Sequence, residues 1–475
     1  MREIIVDNFA GGGGASTGIE MATGRSVDIA INHDPNAIAM HTTNHPNTLH
    51  YCESVYAVRP KVATAGRRVG LAWFSPDCRH FSKAKGAKPV EKAIRGLAWI
   101  VIRWALDVEP RVMMLENVEE FKTWGPLLAA EMRPDPARIG ETFQAFVGML
   151  TTGIPADHPA LVECCEFLEL SSESDQAQRL VAGLGYNLDY RELRASDLGT
   201  PTIRKRFFMV MRRDGEPIVW PEPTHGDPKS PAVQAGRLAP WRTAAECIDW
   251  SIPALSIFER KKPLAENTLK RIARGIQRFV IDSASPFIVK CNHTSTKTSY
   301  DCFRGQALGE PLQTITKTHG YALAVPHLTK FRTGATGQPI TEPVPTVTAG
   351  TSKRPGGLHV GEVKTTLAVD EYDEFRAQQT LEFLREYCGE DCDGLVTVDG
   401  ITYRIVDIGM RMLQPHELYR AQGFPEWYII DQDYRGKKYA KDKQVARCGN
   451  AVPPPFAEAL VRANLPELCV SREAA

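Results

Sequence analysis

Four groups of residues have the types and spacing to do chemistry. Cys78 lies in the run Phe74-Ser75-Pro76-Asp77-Cys78-Arg79-His80-Phe81-Ser82, and three cations, Arg79, His80 and Lys83, follow it closely. Positive charge beside a thiol favours the thiolate, the form that acts as a nucleophile. A carboxylate, Glu116, stands in Leu115-Glu116-Asn117-Val118. Arg204 and Arg206 alternate in Thr202-Ile203-Arg204-Lys205-Arg206, so on an extended chain they share a face and suit a phosphate or a base edge. Phe9-Ala10-Gly11-Gly12-Gly13-Gly14 is a glycine turn that lets a ligand approach the backbone closely. Such a turn suits NAD, FAD or S-adenosylmethionine (AdoMet). A dinucleotide fingerprint would need G-x-G-x-x-G, and the third glycine is replaced by Ser16.

These groups need a scaffold that brings them to one edge. Glu3-Ile4-Ile5-Val6-Asp7-Asn8-Phe9 reads as a buried strand running into the glycine turn, and Ala15-Ser16-Thr17-Gly18-Ile19-Glu20-Met21 reads as the helix after it. Val27–Ile31, Leu71–Ser75 and Val112–Glu116 repeat the strand pattern, with a helical stretch from Lys92 to Leu106 between the last two. Strands alternating with helices predict a parallel sheet whose ligands sit at the carboxyl ends of the strands. Cys78 and Glu116 each follow such an end. Arg206–Met211 reads as a later strand, and Trp220–His225 as an exit linker.

Composition sets the class. The chain has 475 residues, 43% hydrophobic and 24% charged, the profile of an ordinary globular protein, which excludes disordered, collagen-like and coiled-coil readings. No apolar stretch approaches the ~18–20 residues of a membrane span. An acidic residue follows the first methionine too soon for a secretory signal, and the eleven cysteines lack a paired framework. A cytoplasmic protein with reduced thiols, and no membrane partner, is expected. The 57 basic and 57 acidic residues cancel overall but are unevenly placed. Residues 260–332 carry a net of +9, the footprint of a phosphate-binding surface, and 370–399 a net of −8. Texture divides the chain into 1–224, a turn-rich stretch 225–400, and a regular segment 401–475.

In their order along the chain, these motifs resemble the cytosine-C5 DNA methyltransferases of bacterial or phage type. Phe9–Gly14 looks like the family's AdoMet loop, Pro76-Asp77-Cys78 like its nucleophile loop, and Glu116-Asn117-Val118 is its Glu-Asn-Val tripeptide. Thr202–Arg206 is similar to its Gln-x-Arg-x-Arg motif. Arg411–Glu417 with Gln422–Pro425 resembles the ninth motif, and Gly449-Asn450-Ala451-Val452-Pro453 the tenth. The resemblance implies an α/β, Rossmann-like AdoMet-dependent domain (1–224), a mostly irregular or β target-recognition domain (225–400), and a C-terminal segment (401–475) returning to the first.

It also implies a reaction. Cys78 adds to C6 of a cytosine flipped out of duplex DNA, while Glu116, protonated, hydrogen-bonds N3. Arg206 binds O2 and Arg204 helps to orient the loop. The methyl group of AdoMet then passes to C5. Cofactor contacts fall on Phe9, Ala10, Gly11, Gly12, Gly13 and Gly14, on Asn32, His33 and Ser54, and on Asn450, Ala451 and Val452. The implied co-substrate is AdoMet with no metal, and the implied partners are duplex DNA and a restriction endonuclease acting separately; a monomer is expected. Several positions depart from the pattern: Asp77 and Arg79 replace the proline and glutamine that flank the family's cysteine, Thr202 replaces glutamine, and Asn32 and Ser54 replace acids. Two alternatives share the motifs, an RNA cytosine-C5 methyltransferase and a catalytically inactive DNA-binding relative. An amino-group methyltransferase does not, because Ser75-Pro76-Asp77-Cys78 lacks the aromatic such enzymes place after the proline.

Overall fold

The structure is a computed structural model that describes residues 2–77, 96–128, 133–249, 251–281, 287–290, 305–307, 310–311, 321–328, 364–368, 372–398 and 401–471. Cys78 and its neighbours Arg79, His80 and Lys83 therefore lie outside the described residues. Contacts divide the chain into two compact units, Met1–Trp241 with Gln422–Ala475, and Arg242–Ala421.

The main sheet of the first unit is built from β1 (Ile4–Asn8), β2 (Ile29–Ile31), β3 (Leu49–Tyr51), β4 (Val69–Phe74), β5 (Val112–Asn117), β6 (Asn187–Arg194) and β7 (Lys205–Arg212). They form one sheet in the order β3-β2-β1-β4-β5-β7-β6. Pairs from β3 to β5 are parallel; β7 runs antiparallel to β5 and to β6. The order reverses between β1 and β4, the switch point at which doubly wound sheets open a ligand crevice. Register brings the ends level: Asn8 pairs with Ile31 and Phe74, Phe74 with Leu115, and Glu116 with Phe208.

β1, β4 and β5 are buried at every residue, as central parallel strands covered on both faces must be. Their side chains alternate between two cores. Ile4 and Val6 face a cluster with Phe74, Trp99, Trp104 and Phe146, whereas Ile5 faces one with Trp73, Phe208 and Phe456. The first cluster is closed by α4 (Trp99–Asp107), α5 (Glu141–Leu150) and α6 (Pro159–Leu168). The second is closed by α1 (Gly14–Thr23) and, from the far end of the chain, α12 (Pro454–Asn464). α1 stops where Gly24 takes the left-handed conformation, φ 66°, and its N–H bonds the Glu20 carbonyl. α2 (Pro35–Asn44) begins at Asp34, whose carboxylate accepts from Asn36 N at 2.8 Å, with Pro35 at the first helical position.

Among the described residues of the second unit the strands are β8 (Leu255–Ser256), β9 (Phe287–Lys290), β10 (Gly305–Ala307), β11 (Tyr321–Leu328), β12 (Lys364–Ala368), β13 (Leu395–Val398) and β14 (Ile401–Met412). All the pairings are antiparallel except β11 with β12. The acidic stretch forms helix α9 (Glu374–Cys388), capped by Asp373 and tied to β14 through Thr380 Oγ1 and the Val406 carbonyl at 3.2 Å. The twelve-residue β14 pairs with β8, β11, β12 and β13, so the chain leaves this unit after Ala421, later than the boundary at 401 drawn from texture. Residues 225–241 stay with the first unit, where Trp241 Nε1 donates to Asp197 Oδ1 at 2.9 Å.

α1 and the C-terminal segment pack backbone against backbone. A Cβ built on Gly14 would lie 2.2 Å from the Val452 carbonyl oxygen, and one on Gly18 would lie 2.1 Å from that of Pro454. Both partners are backbone and cannot swing aside. Gly14→Ala should therefore cost about 1–3 kcal/mol of stability, as overpacking does, read as a lower urea midpoint with an unchanged slope. An unchanged midpoint would show that the two segments are not held in contact.

Candidate active site

The glycine turn joins β1 to α1 through three left-handed residues, Phe9 (φ 65°), Gly11 (φ 53°) and Gly13 (φ 103°). Ala10 N bonds the Ile31 carbonyl at 3.1 Å, and Gly13 N bonds that of Ala10 at 2.9 Å. Tyr428 donates its hydroxyl to the Gly12 carbonyl from the returning segment. α1 opens at Gly13 with no side-chain cap, and in its first turn the backbone N–H groups have no preceding helical carbonyl to bond. A Cβ at Gly12 would come within 3.1 Å of Met40 Sδ, so only glycine fits without displacement.

Behind the turn lies a buried polar row. Ser16 Oγ meets Asp7 Oδ2 at 2.7 Å and His41 Nε2 at 3.0 Å, and His41 Nδ1 meets His50 Nε2 at 2.9 Å. A second row joins Thr17 to His45 at 3.1 Å and His45 to Glu20 at 2.7 Å. Burial pushes the Asp7 carboxyl up to about 7. Burial holds His41 well below the ordinary histidine value, and it lowers His50 as well. Asp7 Oδ1 and both amide atoms of Asn8 are buried with no partner among the described residues. A tight turn, uncapped helix amides and orphaned polar atoms suit a nucleoside ligand with a charged amino-acid tail.

Of the other residues expected at the cofactor, Asn32 is half-buried and its Oδ1 accepts from Asp34 N at 2.8 Å; His33 is exposed. Ser54 is exposed at the head of a turn, where Ala57 N bonds its carbonyl at 2.9 Å. Asn450 is exposed at the end of α11 (Lys441–Asn450), Ala451 follows it, and buried Val452 lies against Gly14.

Glu116 is only 8% exposed at the end of β5, and Arg206 Nε lies 3.1 Å from Oε1. Beside it Asn117 Nδ2 donates to the Pro76 carbonyl at 3.2 Å, and so holds the chain two residues before Cys78. Trp73 Nε1 bonds Ser75 Oγ at 2.9 Å, and Ser75 N bonds the Asn8 carbonyl at 3.2 Å. The strand that leads to Cys78 is thus anchored on both sides. The two arginines part company. Arg204 is buried and donates to the carbonyls of Gly449 at 3.0 Å and Ala451 at 3.1 Å, fastening the returning segment. Only Arg206 reaches Glu116.

In the second unit Arg411 and Glu417 form a buried two-bond pair, both contacts at 2.8 Å, and Glu417 also accepts from Asp249 N at 2.7 Å. These residues of the ninth motif build structure there.

The sequence profile described as C-5 cytosine-specific DNA methylase matches residues 4–124 and 172–465. The chain belongs to this family. The match omits 125–171, which carry α5 and α6. Among similar proteins, the type II methyltransferase M.AquIA of Picosynechococcus sp. is 23% identical over 54% of this chain and 91% of its own length. M.XorII of Xanthomonas oryzae pv. oryzae is 26% identical over 47% of this chain, and the match spans only 44% of that protein. The solved S. pombe Dnmt2 methyltransferase aligns over 98% of this chain and 99% of its own, at 14% identity and a TM-score of 0.45.

The residues that sequence reasoning missed are Asp7, Asn8, Ser16, His41, His45, His50 and Tyr428. One signal was available: a carboxylate inside the buried run Ile4-Ile5-Val6-Asp7, and two histidines four apart on α2. Asp7 has a measurable consequence. Its folded-state value of about 7 exceeds the ordinary 3.8, so the folded chain holds a proton that the unfolded chain has lost. Stability falls as pH rises through that window, by up to about 1.4 kcal/mol per unit from this group. Asp7→Asn keeps an acceptor for Ser16 and removes the titration. Denaturation at pH 5, 6 and 7 should give a shallower decline for the variant; parallel curves would remove Asp7 as the cause.

Proposed function

We propose that the protein is a DNA cytosine-C5 methyltransferase that transfers the methyl group of AdoMet to C5 of a cytosine flipped out of duplex DNA. The observation that carries this reading is the pairing of Glu116 with Arg206 at 3.1 Å, one strand away from the end of β4, where the chain enters Pro76-Asp77-Cys78. Cytosine N3 and O2 are neighbouring ring atoms. Two polar side chains at this separation can address them together, with Glu116 on N3 and Arg206 on O2.

C5 is a weak nucleophile until C6 is substituted. The Cys78 thiolate forms a bond to C6, and the C5=C6 electron pair moves toward C5 and the ring carbonyl. Arg206 stabilises the charge that gathers on O2, and a proton held between Glu116 and N3 offsets it further. AdoMet supplies the electrophilic methyl group. Loss of the C5 proton to a base, with departure of the Cys78 sulfur, then restores the aromatic ring. Asn117 and Ser75 keep the start of the Cys78 loop in place. Arg204 holds Gly449 and Ala451 so that the segment beside the glycine turn stays closed. The base must leave the helix for a side chain to reach C6, and the cost of unstacking is a few kcal/mol.

The second unit is the proposed reader of the target sequence; the basic bias of 260–332 suits phosphate contacts. The type II naming of the relatives favours a separate endonuclease as the biological counterpart.

Duplex DNA carrying 5-fluorocytosine tests the mechanism, because fluorine cannot leave as a proton does. The parent protein with AdoMet should form an adduct that survives denaturing electrophoresis, and Cys78→Ala should form none. An adduct retained by the variant would assign the nucleophile elsewhere. Glu116→Gln should keep the adduct site but slow methylation about 10²–10⁴-fold, the range for a proton-handling group.

A further inference from the structure

The row Asp7–Ser16–His41–His50 takes no part in the chemistry above, yet it occupies the floor of the glycine turn. Asp7, Ser16 and His41 have no solvent exposure, whereas His50, on the edge strand β3, is half-buried. A Cβ on Gly13 would stand 3.0 Å from the His45 ring and 3.3 Å from that of His41, so the imidazoles press directly on the turn. Three consecutive contacts of 2.7, 3.0 and 2.9 Å link the turn's interior to the sheet edge.

Each group in this row can both donate and accept, so the row has two self-consistent polarities. With Asp7 ionised, Ser16 donates to Asp7, His41 donates to Ser16 through Nε2, and His50 donates to His41 through Nε2. With Asp7 protonated, every bond runs the other way. We propose that Ser16 and His41 are positioning residues of the glycine turn that act as a proton relay, so that a proton taken up at His50 reappears on Asp7. The transfer balances. A proton binds His50 Nδ1, and the His50 Nε2 proton moves to His41 Nδ1. The His41 Nε2 proton moves to Ser16 Oγ, and the Ser16 hydroxyl proton moves to Asp7 Oδ2. One proton is gained and neither imidazole is left charged, in keeping with the lowered basicity of both rings. His50 is the member of the row that reaches solvent, on the edge strand β3, which marks it as the entry point.

The surrounding charged groups are occupied elsewhere. His45 of α2 is bound to Glu20 of α1 and to Thr17. Asp28 is paired with Arg2 and Arg25, and on α12 Glu458 is paired with Arg462. The Tyr428 ring lies tilted beside His45, with centroids 6.5 Å apart, and burial pushes its hydroxyl up. Burial brings the Asp7 carboxyl up to about 7, so its charge can change near neutral pH.

The consequence rests on the reading of the turn as the AdoMet cradle. A sulfonium cation near the end of β1 favours the Asp7 carboxylate over the carboxylic acid. Binding therefore releases a proton through His50, and affinity rises with pH up to about 7.

Calorimetric titration of AdoMet from pH 5.5 to 8, together with ¹⁵N-histidine spectra of the free protein, tests this. The parent should gain up to about tenfold in affinity per unit below pH 7. S-adenosylhomocysteine, which lacks the sulfonium charge, should gain less, and Asp7→Asn should give a flat profile for both. In the spectra His41 and His50 should exchange their protonated nitrogens together as pH falls through 7. Ser16→Ala should freeze both tautomers while leaving the AdoMet profile sloped. A flat parent profile, an unchanged slope in Asp7→Asn, or histidines that titrate independently would each overturn the relay. Failure of both ligands to bind at every pH would instead overturn the cradle reading, and with it the cofactor linkage. The histidine spectra need no ligand and judge the relay by themselves.

Discussion

The first unit depends on a close approach of two backbones from opposite ends of the sequence. Gly14 and Gly18 on α1 meet the carbonyls of Val452 and Pro454 at distances that leave no room for a side chain. Much else follows from this contact. It places Phe456 against Phe208 of β7, with ring centroids 4.9 Å apart, and so closes one face of the sheet. It also brings Gly449 and Ala451 within reach of the Arg204 guanidinium. A chain that must bring residue 452 back to residue 14 can accept a whole second unit as an insertion, provided the ends of that unit return near each other.

Two arginines two positions apart illustrate how one strand entry serves structure and site together. Arg204 and Arg206 look equivalent as a pattern, but burial separates their tasks. Arg204 is enclosed, and its two terminal nitrogens each donate to a carbonyl of the returning segment. Arg206 retains some exposure and pairs with the Glu116 carboxylate. Asn117 works in the same economical way: its neighbour Glu116 pairs with Arg206, while its own amide steadies the chain that leads to Cys78.

The scaffold was legible wherever the signal is local. β1, β4 and β5 are uninterrupted apolar runs because both of their faces are covered, and the glycines after β1 mark a turn that only they can make. The motif order identified the family for a related reason: chemistry at the carboxyl ends of strands constrains residue types more tightly than packing does. Long-range facts were less legible. Nothing in Ile401–Met412 says that this strand pairs with Lys364–Ala368 rather than returning to the first sheet, because a strand carries no label for its partner. The histidine row was missed because Asp7, Ser16, His41 and His50 come from four elements and meet only after folding. Asn32 and Ser54, chosen by alignment with the family pattern, are engaged in a local turn and a turn head, since short polar side chains bond nearby backbone readily.

The identity of the methylated atom decides the proposed reaction. Methyl-labelled AdoMet, mixed-sequence duplex DNA and the parent protein can be incubated together, and the DNA then digested to nucleosides and separated. Label is expected in 5-methyl-2′-deoxycytidine and in no other nucleoside, with the signal lost when RNA replaces duplex DNA. Label on an exocyclic nitrogen of cytosine or adenine, or label accepted by RNA but not by duplex DNA, would contradict it.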